Sequence, residues 1–139
     1  MKFEGKIYKD GKFWLAEIPI LDLMTQGRTK KEAYVMVVDM IESLVNQQGA
    51  GVTVHERSKD VFEIGSAEPK YMISLLLKRK REISGLSLEQ VARRLGMASR
   101  NAYARYEQGK SIPTIKKLDE LFGAVSPGTD LVIKEAVHS

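Results

Sequence analysis

The sequence predicts an α+β N-terminal domain over residues 1–67, a small antiparallel sheet with one helix, followed by an all-α domain over residues 68–139 that ends in a short strand. Three observations lead there. Apolar residues alternate over several short segments before residue 66, with one interruption by a three- and four-residue periodicity. After Pro69 that longer period returns in four segments separated by glycine. Charge divides at the same place: residues 1–67 carry 9 Lys+Arg against 10 Asp+Glu, and residues 68–139 carry 13 against 8.

Composition sets outer limits. A chain of 139 residues that is 43% hydrophobic and 29% charged suits one domain or two small ones. Without cysteine it has no disulfide and no thiolate metal site. The apolar run Leu75-Leu76-Leu77 meets Lys78-Arg79-Lys80-Arg81 at once, far short of a bilayer span. Met1-Lys2-Phe3-Glu4 shows no signal-peptide core, so the expectation is a cytoplasmic protein with no membrane partner. The basic excess of the second half favours a polyanion partner there, and a different partner for the first.

In the first half, Phe3, Gly5 and Ile7 share one face of a strand. Phe13, Leu15 and Glu17 share one face of the next, with Trp14, Ala16 and Ile18 on the other. Asp10-Gly11 between them predicts a type I′ turn with positive φ at both central residues. Pro19 ends the second strand, and an extended loop follows. Thr29 and Glu32 form a capping box that opens a helix, whose buried stripe is Ala33, Val37, Met40, Ile41 and Leu44. Gly49 and Gly51 stop it, and two strands follow at Val52–Glu56 and Val61–Ile64.

This half offers little chemistry. His55 stands alone in an alternating strand, and the acids Asp10, Glu17 and Asp22 show no paired spacing. Gly49-Ala50-Gly51 lacks the Lys-Ser/Thr of a phosphate loop. The expectation is therefore no catalytic residue, no metal and no cofactor. The stretch Lys9–Ala33 nevertheless resembles the N-terminal domain of the HicB antitoxin family. The matching positions are Phe13, Pro19, Thr25, Gln26, Gly27, Thr29, Glu32 and Ala33. The resemblance implies a reduced ribonuclease-H-like fold without its catalytic acids, and a HicA-type toxin as partner. Glu17 and Asp22 are the candidate toxin-binding residues.

The second half reads as four helices. Pro69 suits a first helical turn, and that helix buries Met72 or Ile73, Leu76, Leu77 and Ile83 before Gly85. Ser87 and Gln90 form a second capping box, opening a helix with Leu88, Val91, Ala92 and Leu95 apolar. Gly96 turns the chain into a third helix from about Ser99 to Gln108, in which Ala102 and Tyr106 face inward. Thr114 caps the fourth, with Ile115, Leu118, Leu121 and Phe122 inside. Two short helices across a glycine turn describe a helix-turn-helix. The third helix carries Ser99, Arg100, Asn101 and Arg105 outward. Arg can bond guanine O6/N7 and Asn adenine N6/N7 in bidentate fashion, so these four are the candidate DNA base contacts.

Leu86–Pro113 is similar to the XRE-type helix-turn-helix family, most specifically at Glu107, Gly109, Lys110 and Pro113. It is one residue longer than that family between Gly96 and Ser99. The resemblance implies phosphate contacts at Ser87, Gln90 and Lys110, while Arg93, Arg94, Lys78 and Lys80 read as solvated. Asp130–Val137 is expected to form a final strand that could pair with a second copy. Taken together the two halves resemble a whole HicB antitoxin. That implies a non-enzymatic dimer or higher homo-oligomer that neutralises a HicA-type toxin and represses its own operon by binding operator DNA. An alternative is an XRE-type regulator whose first half senses a small ligand.

Overall fold

The structure, a computed structural model, describes residues 1–45 and 50–137. An N-terminal antiparallel sheet carries one helix and is followed by four helices, as expected. The strands are β1 (Lys2–Asp10), β2 (Phe13–Ile18), β3 (Leu23–Gly27), β4 (Val52–Glu56) and β5 (Val61–Ser66), in the spatial order β3-β2-β1-β5-β4. The helices are α1 (Lys30–Val45), α2 (Pro69–Ile83), α3 (Leu88–Arg94), α4 (Arg100–Glu107) and α5 (Ile115–Val125).

Register places Phe3, Gly5 and Ile7 of β1 on the same face as Ala16 and Ile18 of β2 and Phe62 and Ile64 of β5. Helix α1 lays Ala33, Val37 and Ile41 onto that face, with Met40 and Leu44 packed beside them. Two glycines are required by close approach. The Phe62 ring lies over Gly5, where an added Cβ would come within 2.2 Å of it. At Gly27 a Cβ would meet the Ala33 backbone nitrogen at 2.4 Å, so β3 can run tight under the start of α1 only with glycine there. The opposite face, with Lys6, Tyr8, Leu15, Glu17 and Met24, carries no helix among the described residues.

Several local expectations change. The hairpin turn has Gly11 and Lys12 as its central residues, because Asp10 pairs with Phe13. Positive φ occurs at Gly11 (61°) but not at Lys12, which is the type II′ pattern rather than type I′. The extended loop after Pro19 contains a 3-10 turn, Pro19–Leu21, and then β3. Asp22 joins them in the left-handed region, with φ 51°. The stop expected at Gly49 lies outside the described residues. Residues 131–137 are not a strand: they extend from the body with Val132 and Ile133 exposed, held by Leu131 against the sheet's core and by a Lys134–Glu4 ion pair of 3.0 Å. A strand needs a neighbour for its ladder, and among the described residues of the chain this segment has none.

Helix α2 is where the halves meet. Met72 through Leu77 are all buried, six consecutive residues and hence the whole circumference. Met72, Leu75 and Leu76 join the sheet's core, together with Phe122 of α5. Ile73 and Leu77 join a second core with Val91, Ala92, Tyr103, Leu121 and Val125. Both Met72 and Ile73 are therefore inside, whereas Ile83, expected inside, is 48% exposed beyond the last packed turn. Arg79 adds a polar tie: its Nε donates to the Leu21 carbonyl (3.0 Å) and a terminal nitrogen donates to that of Asp22 (3.1 Å).

Leu76→Ala is expected to destabilise the chain by about 2–5 kcal/mol. The loss will show at the same denaturant concentration in Trp14 fluorescence, which reports β2, and in far-ultraviolet circular dichroism, which is dominated by the helices. Separate transitions would contradict the shared packing of α2.

Candidate nucleic-acid interface

Helices α3 and α4 form a tight pair. Ser87 caps α3 with a complete box: its Oγ accepts from the Gln90 N–H (3.1 Å) and the Gln90 side-chain oxygen accepts from the Ser87 N–H (2.8 Å). Gly96, with φ 68°, turns the chain out of α3, and the Met97 N–H returns to the Ala92 carbonyl at 2.9 Å. Met97 packs into the second core. The additional residue is thus absorbed in the turn and leaves α4 regular. Ser99 is the N-cap of α4 and accepts from the Ala102 N–H at 3.3 Å.

That cap fixes the helical positions. Arg100 and Asn101 are the first two residues of α4, Arg105 is the sixth, and all three are exposed. The buried side is Tyr103 and Ala104 rather than Ala102 and Tyr106, which are only half-buried. The difference is one of phase. The cap at Ser99 sets the helix rotation so that Tyr103, the largest fully buried side chain, plugs the second core. Burial pushes the Tyr103 phenol well above its ordinary value, and the nearby Glu107 charge adds to the effect.

The C-terminal end of α4 is clamped. Glu107 accepts from Arg81 of α2 in bidentate fashion, 2.7 Å from Nε and 3.0 Å from a terminal nitrogen. The third guanidinium nitrogen of Arg81 donates to the Leu86 carbonyl at 2.9 Å. Gly109, with φ 70°, then turns the chain towards Lys110, which is exposed. Arg105 Nε donates to Ser111 Oγ at 3.2 Å. Sequence reasoning picked out Glu107 as a distinctive position but missed its partner, because Arg81 sits in a basic run that reads as surface. Arg94 is exposed, as expected, and also donates to the Ala124 carbonyl at 3.3 Å.

Residues 77–124 match the helix-turn-helix family model. The matched segment runs from the middle of α2 to the end of α5, so it holds both Arg81 and Glu107 and all the exposed side chains above. No curated protein matches the chain. Residues 77–124 are thus similar to the helix-turn-helix of DNA-binding transcription regulators.

The two sheet residues lie elsewhere. Glu17 is on the open face of β2, where its carboxylate accepts from the Tyr8 hydroxyl at 2.7 Å. Asp22 is exposed at the entry to β3, with its carbonyl held by Arg79. His55 Nε2 lies 3.0 Å from Thr53 Oγ1. Among the described residues, no helix is long and apolar enough to cross a membrane.

Removing Glu107 as Glu107→Ala strands the Arg81 charge at a largely buried site, an expected loss of about 3–5 kcal/mol measurable by urea unfolding. The tyrosines give a pH signature. Burial raises Tyr34 from 10.0 to about 12, with Glu56 adding to it, and Tyr103 is raised further still. The folded state keeps protons that the unfolded chain loses near 10. Stability contributed by these phenols is therefore whole below pH 10 and declines as pH rises, with the Tyr34 share gone beyond about 12. Phenolate absorbance of the native protein should show both groups missing from the ordinary titration, and Tyr34→Phe with Tyr103→Phe should flatten the alkaline loss.

Proposed function

We propose that this chain is a HicB-type antitoxin: a non-enzymatic cytoplasmic protein that binds a HicA-type ribonuclease toxin through its sheet half and represses its own operon through its helix-turn-helix. The observation that carries the DNA half of this reading is the exposed row of Arg100, Asn101 and Arg105 on α4, the second helix of the motif. A recognition helix presents its N-terminal residues to base edges in the major groove. Ser87 and Gln90 at the start of α3, and Lys110 after α4, are the phosphate contacts. A dimer or higher homo-oligomer supplies the two-fold that a palindromic operator requires.

The toxin half rests on the run from Phe13 to Ala33 and its likeness to HicB domains. Toxins that bind RNA are basic, and Glu17 and Asp22 offer carboxylates on the sheet half, whose charge is close to neutral. Co-expression with the small reading frame next to its gene tests this directly. Rescue of growth together with co-purification supports the reading; toxicity that persists without complex formation removes it.

Arg100→Ala and Asn101→Ala are each expected to lower discrimination between operator and unrelated DNA by about 1–3 kcal/mol while leaving toxin neutralisation intact. Operator affinity should also fall steeply with salt, because each neutralised phosphate contributes a slope of about −0.9 in log K against log salt. Gel shifts across a salt series measure both, and a flat profile would exclude DNA as the partner.

A further inference from the structure

Arg105 is not a free surface arginine. It is exposed at the sixth position of α4, yet its Nε donates to Ser111 Oγ at 3.2 Å. The contact is built by the main chain. Gly109 reverses the chain in the left-handed region, and the N–H groups of Lys110 and Ser111 both donate to the Arg105 carbonyl, at 3.0 and 3.3 Å. Residue 111 is therefore tied to residue 105 before their side chains meet.

A guanidinium can present two parallel N–H bonds along either of two edges: Nε with one terminal nitrogen, or the two terminal nitrogens together. Ser111 occupies the first edge. The end-on edge is left, and it matches the O6 and N7 acceptors of guanine. A hydroxyl achieves this without offsetting the charge, as a carboxylate at the same place would. We propose that Ser111 is a positioning residue for sequence readout, holding Arg105 end-on so that it selects guanine at one base pair. The inference rests on the DNA-reading role of α4. Pre-ordering the side chain removes a loss that binding would otherwise incur, equivalent to roughly a three- to tenfold gain at that base pair.

The test compares wild type, Ser111→Ala, Ser111→Thr and Arg105→Ala on the promoter of the chain's own operon and on its single-base-pair variants, each over a salt series. Ser111→Ala should lower discrimination by about three- to tenfold at the one G·C pair that Arg105→Ala also affects. Ser111→Thr, which keeps the hydroxyl, should retain it. A uniform loss over all sequences, with the salt slope reduced by about one, would make Ser111 a phosphate contact and overturn the proposal. Unchanged base preference in Ser111→Ala would overturn it as well. If wild type itself prefers no sequence, the DNA-reading role fails, and this inference fails with it. The Arg105 Nε–H resonance of the free protein adds a readout that needs no DNA. It should be protected from exchange in wild type and Ser111→Thr but not in Ser111→Ala, and equal exchange in all three would again overturn the proposal.

Discussion

Helix α2 is the element on which the arrangement depends. A helix on the surface of a domain hides one stripe; Met72–Leu77 leaves no side exposed. Three of its residues belong to the sheet's core and two to the core of the helix-turn-helix. The two arginines one turn further on reach in different directions, Arg79 to the carbonyls of Leu21 and Asp22 and Arg81 to Glu107. Only Ala67 and Glu68 separate β5 from α2, so no tether intervenes. The helix-turn-helix is thus held against the sheet by packing, and its orientation is part of the fold.

Within that frame, α4 divides its residues sharply. Tyr103 and Ala104 fill the core, and Glu107 locks the helix end to α2. A short helix has little stability of its own, since nucleation consumes most of what eight residues can return. Its order therefore comes from the core on one side, the Ser99 cap at its start and the Arg81–Glu107 pair at its end. The outward side, with Arg100, Asn101 and Arg105 exposed, is left with no packing duty.

How much of this was readable in the sequence follows from the range of each interaction. Features set within four residues were readable: the boxes at Thr29 with Glu32 and at Ser87 with Gln90, the cap at Ser99, the left-handed glycines at 85, 96 and 109. Even there a detail moved, since Glu32 returns its bond to the Arg28 N–H rather than to that of Thr29. Features set by distant partners were not. Leu23–Gly27 is a strand because β2 offers it a ladder, and Asp130–Val137 is not one because no described residue of the chain pairs with it. Tyr103 was missed because its neighbours in sequence, Ala102 and Tyr106, fit an inward stripe equally well until the cap sets the phase. The exposure of Arg100, Asn101 and Arg105 was readable from the sequence, while the clamp behind them, spanning 26 residues from Arg81 to Glu107, was not.

The capping bonds also bear on what the exposed polar groups have left to offer. Ser87 Oγ and Ser99 Oγ accept from helix N–H groups, and the Gln90 side-chain oxygen accepts from Ser87. Each of these side chains has thereby spent acceptor capacity inside the protein. Each serine keeps its hydroxyl proton and a second lone pair, and Gln90 keeps its two amide protons and a second lone pair on its oxygen. The remaining protons are the groups that an acceptor-only partner such as a phosphate oxygen could engage. The bonds that start the two helices use acceptor capacity of these side chains and leave their donors unengaged by the caps.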